Sequence, residues 1–259
     1  MPFAWALGLA ALVSAVARKF KALSTSGAVA ATAVGIAILW ATGWGGGLVL
    51  GVYFVSSTGL SRMTTRLSDD SDQTTTEVRT ARQVLANGGW AALGALADWR
   101  APGQGLWLVT VSLAASGGDT WATALGQLSP RPPRDLLRFR QVVRGTSGGV
   151  TWFGTSGSLM GAALIGLTGV VAGGDPRLFL AAALIGGGAT LLDSALGSAA
   201  QAQFRCPACD VVTERPLHHC GTRATHTRGV RWLDNDVVNA TAAGAALVAG
   251  LATWQWLAG

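Results

Sequence analysis

Residues 117–126 read Gly-Gly-Asp-Thr-Trp-Ala-Thr-Ala-Leu-Gly and place one acidic side chain, Asp119, among small residues inside a long apolar run. A shorter version, Asp-Ser-Ala-Leu-Gly, occurs at residues 193–197, again near the end of an apolar run. A carboxylate in the hydrocarbon of a bilayer costs at least about 2.5 kcal/mol unless it is paired or solvated. Two such carboxylates predict a bundle of membrane-spanning helices that surrounds a polar site.

The composition indicates an all-α, polytopic transmembrane helix bundle. Of the 259 residues, 50% are hydrophobic and 12% are charged, whereas soluble domains contain about 25% charged residues. The 36 glycines lie mostly within apolar stretches, where small residues let helix backbones approach closely in lipid. We therefore expect a single integral membrane domain over residues 1–259.

Apolar runs of suitable length predict eight spanning helices, since a helix needs about 20 apolar residues to cross a bilayer. Their approximate ranges are 3–17, 27–43, 45–61, 84–98, 104–128, 148–172, 177–201 and 236–257. The second and third runs are short, so one broken helix and a total of seven is an alternative. The first run has no basic residues before it, which favours a spanning helix over a cleaved signal peptide.

The distribution of basic residues predicts the orientation. All but Arg100 and Arg177 of the 19 Lys and Arg residues lie in the loops after the first, third, fifth and seventh predicted helices. Cytoplasmic loops are enriched in these residues. We therefore expect these loops in the cytoplasm of a bacterial cell, the protein in its inner membrane, and both termini, including Gly259, outside. The net charge of +6 follows the same rule and does not indicate nucleic-acid binding.

Polar residues within the predicted helices cluster at their cytoplasmic ends. In addition to the two aspartates, the catalytic candidates are Asn87, Asn235, Asp236 and Asn239, and the substrate- or nucleotide-binding candidates are Ser56, Ser57, Arg144, Thr146, Ser147, Gly148 and Gly149. A single residue of this kind more often caps a helix or bonds between helices. The one-sided clustering of the whole set indicates a site that opens to the cytoplasm.

The residue types in this set suit a metal and a phosphate. Mg²⁺ binds hard oxygen ligands, commonly one or two carboxylates together with substrate phosphates, so we expect Asp119 and Asp193 to bind Mg²⁺. Residues 145–149 read Gly-Thr-Ser-Gly-Gly, and backbone N–H groups in such a segment, together with the following helix N-terminus, can hold a phosphate. The three histidines lie in one loop, which disfavours a Ser-His-Asp hydrolytic triad.

The loop at residues 202–235 contains all three cysteines and all three histidines. Cys206 and Cys209 form a Cys-x-x-Cys pair, and His218 and Cys220 follow, so three thiolates and one imidazole are available for tetrahedral Zn²⁺. His218 fits better than His219, because residues two apart in an extended chain point the same way. The predicted zinc is structural, and ordinary free thiols are the alternative.

Several sequence blocks in the same order resemble the membrane-protein family that includes plant phytyl-phosphate kinase and animal transmembrane protein 19. They are residues 21–27, 54–58, 83–88, 117–126, 145–150, 193–197 and 235–239. The resemblance implies phosphorylation of an isoprenyl monophosphate to the diphosphate with Mg²⁺ and a nucleoside triphosphate, CTP or ATP. Lys21, in the first of these blocks, and Arg62, in the basic loop after the third predicted helix, are further binding candidates. Ala124 replaces an expected Glu, and Ser147 an expected Asn.

The expected function is therefore isoprenyl-phosphate kinase activity, with phytyl or geranylgeranyl phosphate as examples of the substrate. The expected partners are this lipid, the nucleotide and the bilayer, and the sequence does not predict an oligomeric state. A transporter of a small anionic or lipid substrate is the main alternative, although transporter sites lie near the bilayer midplane on broken helices. A non-catalytic scaffold is a third possibility, but it would need no pair of buried aspartates.

Overall fold

The computed structural model describes residues 1–67 and 78–258, which form a predominantly helical bundle. Within these residues the helices are α1 Phe3–Lys19, α2 Thr25–Leu67, α3 Ala81–Ala95, a 3-10 helix Leu96–Trp99, α4 Gln104–Gln127, α5 Trp152–Val171, α6 Arg177–Ala200 and α7 Asn235–Ala258. Four of these helices, α2, α5, α6 and α7, are long and apolar enough to cross a membrane. The predicted all-α membrane bundle is confirmed. Gly259 lies outside the described residues.

Helix α2 contains the second and third predicted segments and reverses direction between them. The backbone of Gly43 has φ 64° and ψ −147°, a conformation open to glycine because it has no Cβ. The side chain of Arg62 donates to the carbonyl of Phe20 over 2.6 Å, although residues 25 and 62 would lie about 55 Å apart in a straight helix. The arms 25–42 and 44–67 therefore run in opposite directions, as two segments of one interrupted helix.

The bundle has two different ends. The loop-rich end contains residues 20–24, 78–80, 128–151 and 201–234, and the far end contains the tight connections 43–45, 96–103 and 172–176. At the loop-rich end Leu23 forms a parallel bridge with Arg79, and Arg82 forms an ion pair with Asp234. Nearly all the basic residues lie at this end.

Short strands shape the loops of the loop-rich end. Strand β1 (Arg134–Asp135) pairs antiparallel with β2 (Gly149–Val150). Strand β3 (Gln203–Arg205) lies between β4 (Val212–Thr213) and β5 (Thr225–Arg228) in an antiparallel sheet. The helix expected from residue 148 begins instead at Trp152, because β2 and the cap Thr151, which accepts from the Gly154 amide, occupy the preceding residues.

Helix α4 is the centre of the bundle and packs against α2, α3, α5, α6 and α7. Its side chains are buried from Trp107 to Ala115 without interruption. At Gly118 an added Cβ would lie 3.1 Å from the Ser158 carbonyl oxygen and 3.2 Å from the Thr190 hydroxyl. Because Gly118 has no side chain, α4 approaches α5 and α6 closely at this level. Asp119 therefore follows directly after the point where three helices meet.

Candidate functional site

A cavity of about 690 Å³ lies between α4, α5, α6 and the loop-rich end. Its volume is within the usual range of small-molecule sites, about 300–1,000 Å³. The predicted site residues that line it are Asp119, Asp193, Asn235, Arg144, Thr146, Ser147, Gly148 and Gly149. The structure thus brings together the two aspartates, one asparagine and the glycine-rich segment, which are far apart along the chain.

Three carboxylates face this cavity. Asp119 comes from α4, Asp193 from α6, and Glu214 follows strand β4. Asp193 interacts electrostatically with both of the others, and its Oδ2 atom is buried without a hydrogen-bond partner. None of the ion pairs among the described residues involves these three carboxylates. Because like charges repel and a lone buried carboxylate is costly, the group is suited to a bound cation.

Glu214 is the main residue of the candidate site that was not predicted from the sequence. One carboxylate oxygen accepts from the amide, over 3.0 Å, and from the hydroxyl of Ser147, and the other accepts from the side chain of Gln201 over 2.9 Å. Burial raises the pKa of Glu214, and these hydrogen bonds oppose that shift. Its residue type alone could not identify Glu214, because the same loop contains another acidic residue, Asp210, whose carboxylate forms an ion pair with Arg205.

Hydroxyl groups complete the polar wall. The side chains of Thr120 and Thr123 on α4, and of Thr190 and Ser194 on α6, also line the cavity. These residues were not predicted from the sequence, although helical spacing could have identified them. Thr123 lies four residues after Asp119 and Thr190 three residues before Asp193, positions that share a helix face.

The glycine-rich segment is less open than expected for a phosphate cradle. Its Thr146 amide donates to the Val143 carbonyl, its Gly149 amide donates to Thr146, and its Ser147 amide donates to Glu214. The helix that follows is capped by Thr151. A phosphate at Ser147 would therefore take the place that Glu214 occupies.

Arginines near the cavity hold the loops in place. The Arg144 guanidinium donates to the carbonyls of Gln127 and Ser129, at the end of α4. Arg138 donates to Asp135 and to the Ser198 carbonyl. Burial acts to raise the pKa of Asp135, but hydrogen bonds from Ser198, Arg138 and the Leu137 amide lower it to about 2. Asp135 was not predicted and ties the loop before α5 to the end of α6.

The other predicted residues lie outside the cavity lining. This group comprises Lys21, Ser56, Ser57, Arg62, Asn87, Asp236 and Asn239. Two of them have polar partners outside the cavity: Asn87 donates to the Gln83 carbonyl of its own helix over 2.9 Å, and Asp236 pairs with Arg82 over 3.4 Å. Asn87 remains close to the site, because its carbonyl accepts from Ser116, one turn before Asp119.

The cavity also has an apolar wall away from the carboxylates. It is formed by Leu159 of α5 and by Leu184 and Leu191 of α6. These leucines are 48%, 63% and 47% exposed at the outer surface of the bundle. Since they lie on helices apolar enough to span a membrane, the wall faces the bilayer. The cavity is polar at the loop-rich end and apolar toward lipid.

A second cluster lies in the loop between α6 and α7. The ligand atoms of Cys206, Cys209, His218 and Cys220 all lie within 4.8 Å of one another. Hydrogen bonds, chiefly with Thr222 and then with His218, lower the pKa of Cys220 to about 5. The pKa of Cys209 is raised to about 11, chiefly by its hydrogen bond with Cys220. The predicted set of four side chains is therefore assembled in space, with His218 as its imidazole.

Comparison with known proteins places the chain within one family. The family described as integral membrane protein DUF92 matches residues 8–247. Protein PGR of Arabidopsis thaliana is 29% identical over 91% of this chain and 90% of its own length. An uncharacterized membrane protein of Methanocaldococcus jannaschii is 30% identical over 70% of this chain and 76% of its own length. No solved structure matches. Because the family match covers most of the chain, this protein is a member of the DUF92 family of integral membrane proteins.

Proposed function

We propose that this protein is a kinase that transfers the γ-phosphoryl group of a nucleoside triphosphate, CTP or ATP, to an isoprenyl monophosphate with the help of Mg²⁺. The observation that carries the proposal is the shape of the cavity. Its carboxylates lie at the loop-rich end, and its leucine wall opens toward the bilayer. A substrate with a charged head and a long apolar tail matches this arrangement of polar and apolar surfaces.

Asp119 and Asp193 are the residues that would hold Mg²⁺. They offer oxygen ligands, they interact with each other, and the buried Oδ2 of Asp193 has no other partner. Mg²⁺ binds through one or two carboxylates, waters and substrate phosphates. The bound ion supplies charge neutralisation between the carboxylates and the phosphates. The hydroxyls of Thr123 and Ser194 line the same wall and can hydrogen-bond its waters.

The leucine wall suits the isoprenyl tail. Leu184 precedes Asp193 by nine residues on α6, which corresponds to about 13 Å along the helix axis. A tail that lies against Leu184 and Leu191 therefore keeps its phosphate near the carboxylates. The rest of the chain can remain among lipid tails, so the cavity does not have to enclose it.

The nucleotide would enter from the loop-rich end, which we propose faces the cytoplasm. Nearly all Lys and Arg residues lie at that end, as cytoplasmic loops require. A positive surface there also attracts a polyanionic nucleotide. Asn235, at the start of α7, lines the cavity at this entrance.

The reaction needs positioning more than a strong base. An oxygen of the isoprenyl phosphate attacks the γ-phosphorus, the bond from that phosphorus to the β–γ bridging oxygen breaks, and the products are the isoprenyl diphosphate and the nucleoside diphosphate. A phosphate monoester has a second pKa of about 6 and is largely ionised at neutral pH. Catalysis then depends on alignment and charge stabilisation, which carboxylates, hydroxyls and a metal can provide without a catalytic histidine.

The test uses purified protein, CTP or ATP labelled at the γ-phosphate, and phytyl or geranylgeranyl phosphate in mixed micelles. We expect labelled isoprenyl diphosphate from the wild type and a loss of at least about 100-fold in Asp119→Asn and Asp193→Asn, because each loses a metal-binding charge. Both variants should stay folded, since a neutral amide is cheaper in lipid than a carboxylate. The matched control is Asp175→Asn at the far end, which should keep full activity.

The proposal is wrong if wild-type protein forms no isoprenyl diphosphate from phytyl or geranylgeranyl phosphate with either CTP or ATP. If the same preparation in vesicles moves isoprenyl phosphate across the membrane without changing it, the transporter alternative is correct.

A further inference from the structure

The cysteine and histidine cluster has the dimensions of a metal site. The Sγ atoms of Cys206 and Cys220 are 3.6 Å apart, which is too far for a disulfide at about 2.05 Å. It is close to the edge of a tetrahedron with Zn–S bonds of about 2.3 Å, which is about 3.8 Å long. His218 Nδ1 lies 3.1 Å from the Cys220 Sγ.

The chain around the ligands is arranged in tight turns that aim them at one point. The Asp210 amide donates to the Cys206 carbonyl, and the Cys206 amide donates to Val211, so the first two ligands lie in one turn. The His218 amide donates to Thr222, and the Gly221 amide donates to His218, which forms a second turn. Two such turns with paired ligands are typical of tetrahedral zinc sites.

Glu214 lies between the two ligand pairs along the chain. The segment 210–217 leaves the first turn at Cys209, passes through β4, carries Glu214 to the cavity and returns at His218. Both ends of this segment are therefore held by the same cluster. Glu214 lies in a loop, and its carboxylate accepts hydrogen bonds from Ser147 and Gln201.

We propose that Cys206, Cys209, His218 and Cys220 bind one Zn²⁺ and that this ion holds Glu214 in position. Glu214 is then the third carboxylate of the cavity, beside Asp119 and Asp193. All four positions are filled by protein ligands, so the site is a closed, structural one. The role of Glu214 at the cavity rests on the proposed kinase function. The zinc site and its control of the position of Glu214 do not.

Zinc binding can offset the free-energy cost of ordering this loop. Ordering the backbone has an entropic cost at every residue. Val211, Val212 and Leu217 remain exposed, so the segment has little hydrophobic core of its own to offset that cost. Glu214 must also be brought out of water as a carboxylate. Metal binding offsets such costs, because its binding free energy becomes folding free energy.

Metal analysis tests the first half of the proposal. Protein purified without chelator should contain about one zinc per chain, and both Cys209→Ser and His218→Ala should lose at least nine-tenths of it. The matched control is His219→Ala, which removes the neighbouring imidazole and should keep the zinc. Wild-type protein that contains no zinc and takes up none on addition overturns the proposal, as does equal loss from His218→Ala and His219→Ala.

Hydrogen exchange tests the second half without any substrate. The Ser147 amide donates to Glu214, so its exchange should become at least about tenfold faster when zinc is lost, either in Cys209→Ser or in wild type treated with a chelator. The variant Glu214→Gln should keep its zinc. Unchanged exchange at Ser147 after zinc removal shows that the ion does not hold Glu214. These results stand even if the protein transfers no phosphate.

Discussion

The carboxylates at the far end of the bundle differ from Asp193 in the cavity in how fully their oxygens are hydrogen-bonded. At the far end, Asp98 accepts from the amides of Gly103 and Gly105 over 2.9 and 3.0 Å, and Asp175 forms an ion pair with Arg177 over 2.6 Å. At the loop-rich end, Asp193 retains a buried oxygen without a partner. The far-end carboxylates complete turns, whereas Asp193 in the cavity leaves capacity for a ligand.

The difference shows that burial alone does not mark a functional carboxylate. The Asp135 side chain is buried, with 3% of its surface exposed, but Ser198, Arg138 and backbone amides satisfy it. Buried polar groups are normally satisfied in native proteins, and an exception requires an explanation. A proposed ligand explains the exception at Asp193, and none is needed at Asp135.

The largest expected effect is on access from the two sides of the membrane. A short epitope inserted after Gly173, at the far end, should be reached by antibody in intact cells, and one inserted after Arg131, at the loop-rich end, only after permeabilisation. The readout is close to all-or-none. Antibody access to the Arg131 insertion in intact cells would reverse the orientation and would place the cavity entrance outside.

A smaller effect concerns Asp135 and pH. Its pKa in the folded protein is about 2, below the ordinary 3.8. Ionised Asp135 therefore stabilises the fold above about pH 4, and this contribution, about 2 kcal/mol, disappears as the pH falls toward 2. The free energy of unfolding of Asp135→Asn should be lower than that of wild type by this amount at pH 7, and the gap should close in acid.

Asp210→Asn is the control for Asp135. Asp210 also pairs with an arginine at the loop-rich end, but its side chain is 78% exposed. Exposed ion pairs contribute about 0–1 kcal/mol, so this variant should unfold almost like wild type at every pH. If Asp135→Asn and Asp210→Asn had the same free energy of unfolding at every pH, the buried hydrogen bonds of Asp135 would not contribute to stability.

The smallest effect is expected at the far end. Asp98→Ala removes the acceptor for two amides at the start of α4, and the loss of such a cap lowers the free energy of unfolding by about 1 kcal/mol. Denaturant unfolding in detergent measures it. Phosphoryl transfer should not change, because Asp98 lies at the end opposite the cavity. A loss of activity without a loss of stability would contradict the division between the two ends.

The sequence alone was sufficient for the class of fold and for part of the site. A segment in hydrocarbon must satisfy its own backbone hydrogen bonds, so long apolar runs become helices whatever their neighbours are. Asp119 and Asp193 stood out for the same reason, since charge is rare in such runs. The four side chains of the second cluster were also recognisable, because close spacing along the chain and tight turns bring them together.

Only the tertiary structure decided which polar residues share the cavity. Asn87 and Asp236 had the right residue types, but Asn87 donates to the Gln83 carbonyl one turn earlier in its own helix, and Asp236 pairs with Arg82 of another helix. Glu214 reached the cavity from a loop whose path depends on contacts with Ser147 and Gln201. Helical periodicity predicts which residues share a face, whereas the partner of that face is chosen by packing between distant segments, which spacing along one chain does not encode.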